Sequence, residues 1–366
     1  MGRRRSHDAR ALSRHPGAAS ARCNLGTLPA MTDRKALSDA FVARAGWADA
    51  ARGFLAGDAS PRSYDRLRRG AETAVLMDAP PERGEDVRPF VTMARHLLGL
   101  GLSAPRILAE DPANGFLLLE DLGDTLYARL LDRDRAPEEQ IYAAAIEVLA
   151  TLQGAPPPPG LPDHTPDFMA EAAGLSLGWY ARAVTGQPQD PAPLVAAMAQ
   201  AMAAHCTAKP VLVLRDYHAE NLLWLPDRQG LARVGLLDFQ MGSMGQPEYD
   251  LISLLQDARR DVPRDLADRM IAHFAALTAA DPGRTATACA VLGAQRALRI
   301  LGGFTRLSLH FGKPGYVRLI PRVWAHLQHD LAHPALAGVR AAARLPEPTP
   351  EALQRITELC GTVPTL

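Results

Sequence analysis

Three short apolar runs between Val211 and Asp238 constrain this chain more than any other feature. The first, residues 211–214, ends in a polar turn that holds Asp216 and Asn221. The second, 222–225, reaches a turn signal at 226–230, and the third, 234–237, runs back to Asp238. Apolar runs this short, bounded by turn residues, read as strands. If the last two pair as a hairpin, symmetry about the turn sets Leu222 opposite Leu237 and Asn221 opposite Asp238. Opposed residues of antiparallel strands lie about 5 Å apart at Cα. An amide oxygen and a carboxylate then converge at one end of the hairpin, and Asp216 projects from the adjoining loop.

Hard oxygen donors in such small number suit a Mg²⁺ ion that keeps waters and leans on substrate phosphates. A carboxylate beside it can orient a hydroxyl and accept its proton, which is the arrangement phosphoryl transfer requires. Turn chemistry alone accounts for one polar residue at a strand end, but not for three that converge.

The rest of the chain divides around this stretch. Residues 1–30, rich in Arg, Ala, Ser and Gly, lack periodicity and are expected to be a disordered extension, with Met31 a second candidate start. A helix is expected over 37–53, strands within 54–67 and 74–77, a helix over 87–100, and strands near 106–108 and 116–119. That is a small, sheet-rich lobe over 31–119, with a polar hinge at 120–124. A larger lobe over 125–344 shows helical stripes, such as Ile141, Ala145, Val148, Leu149 and Leu152. Helical patterns recur at 166–184, 192–206, 264–280, 284–308 and 317–332, and a tail occupies 345–366. The fold class expected is therefore α+β with two lobes.

Lys+Arg and Asp+Glu balance at 40 each, so nothing in the net charge points to nucleic acid or an anionic membrane. No run reaches the ~18 apolar residues of a membrane span. The four cysteines are dispersed and form no C-x-x-C, which fits free thiols in a reducing compartment. A cytoplasmic, monomeric protein with a small-molecule partner is the expectation.

Residues 214–224, 237–240 and 249–257 together resemble the aminoglycoside phosphotransferase and choline kinase superfamily, relatives of the protein kinases. Residues 55–60, 76–81, 320–324 and 330–334 look closest to the bacterial anomeric kinases of N-acetylmuramate and N-acetylglucosamine. The resemblance implies a protein-kinase-like two-lobed fold, ATP and Mg²⁺ as cofactors, and an amino sugar as acceptor in cell-wall recycling. It makes Asp216 the catalytic base and Asn221 and Asp238 the metal ligands. Gly57, Asp58, Ala59 and Ser60 become the turn over the ATP phosphates, and backbone groups of Glu120, Asp121 and Leu122 meet the adenine. Asp250 becomes an anchor for the catalytic loop, although a carboxylate that merely stabilises a helix start reads equally well.

The chain also departs from that pattern. The strand at 74–77 lacks a phosphate-pairing lysine, and none occurs between Lys35 and Lys209. The helix at 87–100 lacks a central acid to pair with it, so Arg62, just after the phosphate turn, is the expected substitute. Met241 stands where the sugar kinases would have Asp, and Leu214 where many relatives have His. Residues 99–104 match G-x-G-x-x-A but follow a helix rather than a strand, so they are not a dinucleotide site. His218 and the helical Arg296 and Arg299 are candidate substrate contacts, because guanidinium forks suit a carboxylate such as that of N-acetylmuramate. Salt bridges within the lobe are the plainer reading for these arginines and for Arg306 and Arg322. Two alternatives stay open: an aminoglycoside- or choline-type acceptor, and a non-catalytic ATP-binding pseudokinase.

Overall fold

Residues 51–120 supply the strands of a five-stranded antiparallel sheet. The computed structural model describes residues 34–57, 61–133 and 138–363. The expected extension at 1–30, together with Met31, lies outside the described residues, as do Asp58, Ala59 and Ser60. Helix α1 (Arg34–Arg44) precedes strands β1 (Ala51–Gly57), β2 (Ser63–Arg69) and β3 (Glu72–Asp78). Helix α2 (Arg88–Gly99) leads to β4 (Ile107–Asp111) and β5 (Phe116–Glu120), and the strand order is β1-β2-β3-β5-β4.

Alternation assigns the two faces of this sheet. Leu67, Ala74, Leu76, Phe116 and Leu118 pack with Phe41 and Val42 of α1. Met77, Leu117 and Leu119 point the other way, into the core that includes Phe90, Met93 and Leu97 of α2. Tyr64 lies opposite Met77, and Arg66 opposite Val75, so both share the α2 side. The helix expected over 37–53 stops earlier. Gly46 turns the chain with φ +80°, and extended backbone resumes at Ala51.

Past the sheet the chain is mainly helical: α3 (Tyr127–Arg133), α4 (Glu138–Gly154), α5 (Pro166–Ala173), α6 (Arg182–Thr185) and α7 (Ala192–His205). A wider π-type turn, Ser176–Ala181, joins α5 to α6. Four three-residue strands follow: β6 (Val211–Val213), β7 (Leu222–Trp224), β8 (Val234–Leu236) and β9 (Ser243–Gly245). β6 pairs with β9 and β7 with β8, both antiparallel. Helices α8 (Glu248–Leu255), α9 (Arg264–Thr278), α10 (Pro282–Leu309), α11 (Ile320–Leu331), α12 (Ala337–Ala343) and α13 (Pro350–Glu358) complete a two-lobed α+β architecture. No described helix is long and apolar enough to cross a membrane.

Helix α10 runs through the middle of the second lobe. The Asp281 carboxylate caps it by accepting from Arg284 N at 2.8 Å, with Pro282 at the first helical position. Val291, Leu292, Ala294, Leu298 and Leu301 are fully buried, the pattern of a helix packed on several sides. At Gly302 a Cβ would lie 2.4 Å from the backbone carbonyl of Leu175. That close approach sets how α10 is rolled, and with it the directions of Arg296 and Arg299. Gly302→Ala should destabilise the protein by roughly 1–3 kcal/mol, the usual cost of overpacking. Urea denaturation reads this directly, and an unchanged midpoint would mean that the two backbones part without penalty.

Candidate active site

Strands β7 and β8 form the expected hairpin, one residue out of the expected register. Leu222 faces Leu236 and Trp224 faces Val234. The cause lies on the return side of the turn, where Gly230–Arg233 coil into a tight 3₁₀ turn that the symmetric reading omits. Asn221 therefore faces Leu237, whose amide donates to the Asn221 carbonyl at 2.9 Å. In a continuing strand that slip would turn Asp238 to the other face. Asp238 instead takes a left-handed backbone, φ +54°, so strand alternation no longer governs its direction.

The loop between β6 and β7 is pinned at several points. The buried carboxylate of Asp250, in the first turn of α8, accepts from Leu214 N at 2.5 Å and from Arg215 N at 2.9 Å. Burial pushes this carboxyl up to about 6, against the two amide bonds and Arg296, which favour its charged form. Asp250 thus ties the loop to α8 and does more than favour a helix start. Tyr217 donates its hydroxyl to the Ala145 carbonyl of α4 at 2.8 Å, and Ala219 N donates to Asp257 at 3.3 Å. Arg259 bridges Glu220 at 2.7 Å.

Within that frame Asn221 donates its amide nitrogen to the Asp216 carbonyl at 2.8 Å. This commits the nitrogen end of the amide and orients its oxygen as the available ligand atom. Asp238 accepts from Gln240 Nε2 at 2.5 Å through one carboxylate oxygen. Among the described residues no group of three or more His, Cys, Asp and Glu could hold a metal ion. The donors here are one amide and one carboxylate, a set that fits a hard divalent cation completing its shell with waters and phosphates.

The sheet reaches this site through β2. Arg62 Nε donates to Glu85 at 2.5 Å and reaches the Tyr64 hydroxyl. Burial raises the pKa of that hydroxyl, which also feels Arg62 and Asp238. Glu85 lies three residues ahead of α2. The ring of Phe239 packs on Phe90 of α2 with centroids 4.8 Å apart. Arg66, on the same face as Tyr64, grips Asp121 and Asp124 of the hinge at 2.7 Å each. Glu120 is held by Arg106 and Arg228 and donates its amide to the Arg106 carbonyl. Leu122 and Gly57 are described at the hinge and at the end of β1, but the turn between Gly57 and Pro61 is not.

Of the softer candidates, His218 Nε2 lies 3.3 Å from the Asn221 amide nitrogen, a contact within the loop. Arg322 pairs with Asp261 at 2.5 Å, so the salt-bridge reading holds for it. Among the described residues it does not hold for Arg296, which donates to Ser253 Oγ at 2.6 Å and lies over the Tyr249 ring. Nor does it hold for Arg306, which lies over Trp179 and Phe311. His164 and Arg215, adjacent to this cluster, were not singled out from sequence. Arg215 could have been, from its place beside Asp216; His164 follows a Pro-rich break and gives no sequence signal. A separate cavity of about 570 Å³ between α8, α9, α10 and α11 is lined by Arg322, His326 and Asp330 and by none of the loop residues.

The two lobes with a pinned polar loop between them define a kinase-like fold. A choline/ethanolamine kinase family protein from Mesorhizobium loti superposes with a TM-score of 0.56 at 17% identity, over 85% of this chain and 99% of that one. The ADP-bound aminoglycoside phosphotransferase APH(2'')-Ib gives 0.52 at 14% identity, over 76% and 92%. Residues 53–287, more than half of the chain, match the phosphotransferase enzyme family. An N-acetylmuramate/N-acetylglucosamine kinase from Caulobacter vibrioides is 39% identical over 355 residues, 85% of this chain and 96% of that protein. The chain belongs to the phosphotransferase enzyme family.

Proposed function

We propose that this chain transfers the γ-phosphoryl group of ATP, with Mg²⁺, to the anomeric hydroxyl of N-acetylmuramate or N-acetylglucosamine. The observation that carries the chemistry is the placement of Asp216, Asn221 and Asp238 on one pinned loop and hairpin. The acceptor is taken from the similar Caulobacter kinase. Such an enzyme would serve cell-wall recycling in the cytoplasm, acting as a monomer.

In this reading Asn221 and Asp238 hold the ion, which when bound screens the phosphate charge. Asp216 orients the acceptor hydroxyl and takes its proton as the new bond to phosphorus forms and the bond from the γ-phosphorus to the departing ADP breaks. Gly57 and the turn at 58–60 cover the phosphates, and backbone groups at 120–122 meet the adenine edge. Arg62, held by Glu85, replaces the absent lysine. Loss of the lysine and the helix acid together is physically coherent, because removing one partner of a buried pair strands a charge. Retention of all three polar loop residues favours catalysis over a pseudokinase role.

Asp216→Asn should lower kcat by about 10²–10⁴-fold in a coupled ADP-release assay with either sugar, the span of a positioned acid or base. Near-normal turnover would remove Asp216 as the base. Arg62→Ala should lower kcat/KM for ATP by roughly tenfold or more, the worth of one charge-assisted hydrogen bond. Arg62→Lys should recover part of that loss, whereas an alanine variant with unaltered ATP kinetics would leave the lysine without a substitute.

A further inference from the structure

Three arginines from two stretches of chain lie within electrostatic reach of Asp216 or of the nearby His164. Arg215 arrives from the catalytic loop, and Arg296 and Arg299 from α10. With them sits His164, on the loop before α5, whose amide donates to the Met244 carbonyl at 2.7 Å. The imidazole of His164 is buried, edge-on to Tyr249 with centroids 4.8 Å apart. Burial first, then Arg215 and Arg299, push its pKa down to about 4, so both arginines lie within electrostatic reach of one ring. At neutral pH the ring carries no charge of its own.

These groups are short of partners. The Nε atoms of Arg215, Arg296 and Arg299 and the Nδ1 atom of His164 are buried without a hydrogen-bond partner among the described residues. Buried donors left in this way are costly, on the order of 1–3 kcal/mol each and more when charged. The acids in the field of Arg296 include Asp216 and Asp250. The first is the proposed base, and the second already holds two amides. Asp330 also feels Arg296, but burial pushes its carboxyl up to about 8, so at pH 7 it is mostly neutral.

We infer that Arg215 and Arg299, backed by Arg296 and floored by His164, form a subsite for a carboxylate carried by the acceptor. The inference rests on the amino-sugar kinase reading and adds to it the groups that would tell one acceptor from another. N-acetylmuramate bears a lactyl carboxylate and N-acetylglucosamine none. A guanidinium fork binds a carboxylate through two parallel N–H···O contacts, which a neutral hydroxyl cannot return. Placed beside Asp216, the subsite would hold the acceptor by its anionic arm.

The test compares kcat/KM for N-acetylmuramate, its methyl ester and N-acetylglucosamine, first with the wild-type protein. The inference expects esterification to lower kcat/KM by about tenfold or more, the worth of a charge-assisted contact. This arm needs no variant and so carries no risk of misfolding. Arg299→Gln should lower the N-acetylmuramate to N-acetylglucosamine ratio by a similar factor, with Arg299→Lys falling between. Equal rates on acid and ester, or a ratio unmoved by Arg299→Gln, would overturn the subsite. An equal loss on both sugars would likewise overturn it and assign the arginine to the phosphoryl group or to packing. Wild-type turnover of N-acetylglucosamine alone would sink the subsite and leave the amino-sugar kinase reading intact. Turnover of neither sugar would sink both.

Discussion

The geometry of the site depends on one carboxylate, Asp250, that accepts the amides of Leu214 and Arg215. Arg215 adopts φ +74°, a left-handed conformation that costs a non-glycine residue about 1–3 kcal/mol. Two hydrogen bonds to a charged acceptor contribute about 1.5–3 kcal/mol each, which offsets the strain of the turn and part of the cost of burying the carboxylate. That turn places Asp216 at the start of the loop, and the Arg215 charge lies within electrostatic reach of His164. Tyr217, Ala219 and Glu220 are then tied to α4, Asp257 and Arg259, which leaves the loop little freedom. A base that must meet a hydroxyl within hydrogen-bond reach needs such a frame.

The sheet is coupled to this frame at three places. Phe90 rests on Phe239, beside Asp238. Arg66 holds the two hinge aspartates, and among these groups Arg66 and Asp121 are well shielded, with side chains 11% and 6% exposed. Breaking one partner of a shielded pair is far costlier than losing a surface bridge. Arg228 links Glu120 of β5 to Ser103. The first lobe is thereby held against the hairpin, with Tyr64, which Arg62 reaches, within electrostatic range of Asp238.

Much of this was legible in the sequence, because strand and turn signals and chemical residue types are local. The three short runs, Asp216, Asn221 and Asp238, and the helical stripe of α4 could all be read without contacts. The hairpin register could not, since whether residues 230–233 extend or coil depends on how the turn packs. The helix at 87–100 does lack a central acid, but that Arg62 finds Glu85 just ahead of it was not legible, because a side chain's reach is set by the fold rather than by element boundaries. His164 had no signal, because its meaning comes from β9, the loop that holds Arg215, and α10 meeting around it. Whether Arg296 and Arg306 form salt bridges was likewise beyond the sequence, where spacing shows a shared face but not what lies opposite.

Hydrogen exchange at the Leu214 and Arg215 amides, in the nucleotide-free protein, tests the anchoring by Asp250 most directly. Both amides are held by a buried carboxylate, so exchange near the slow limit set by global unfolding is the expected result. Rapid exchange at these two amides, with the strands of the first lobe still protected, would mean that the loop is loose before substrate binds, and the account of a site held ready by Asp250 would fail.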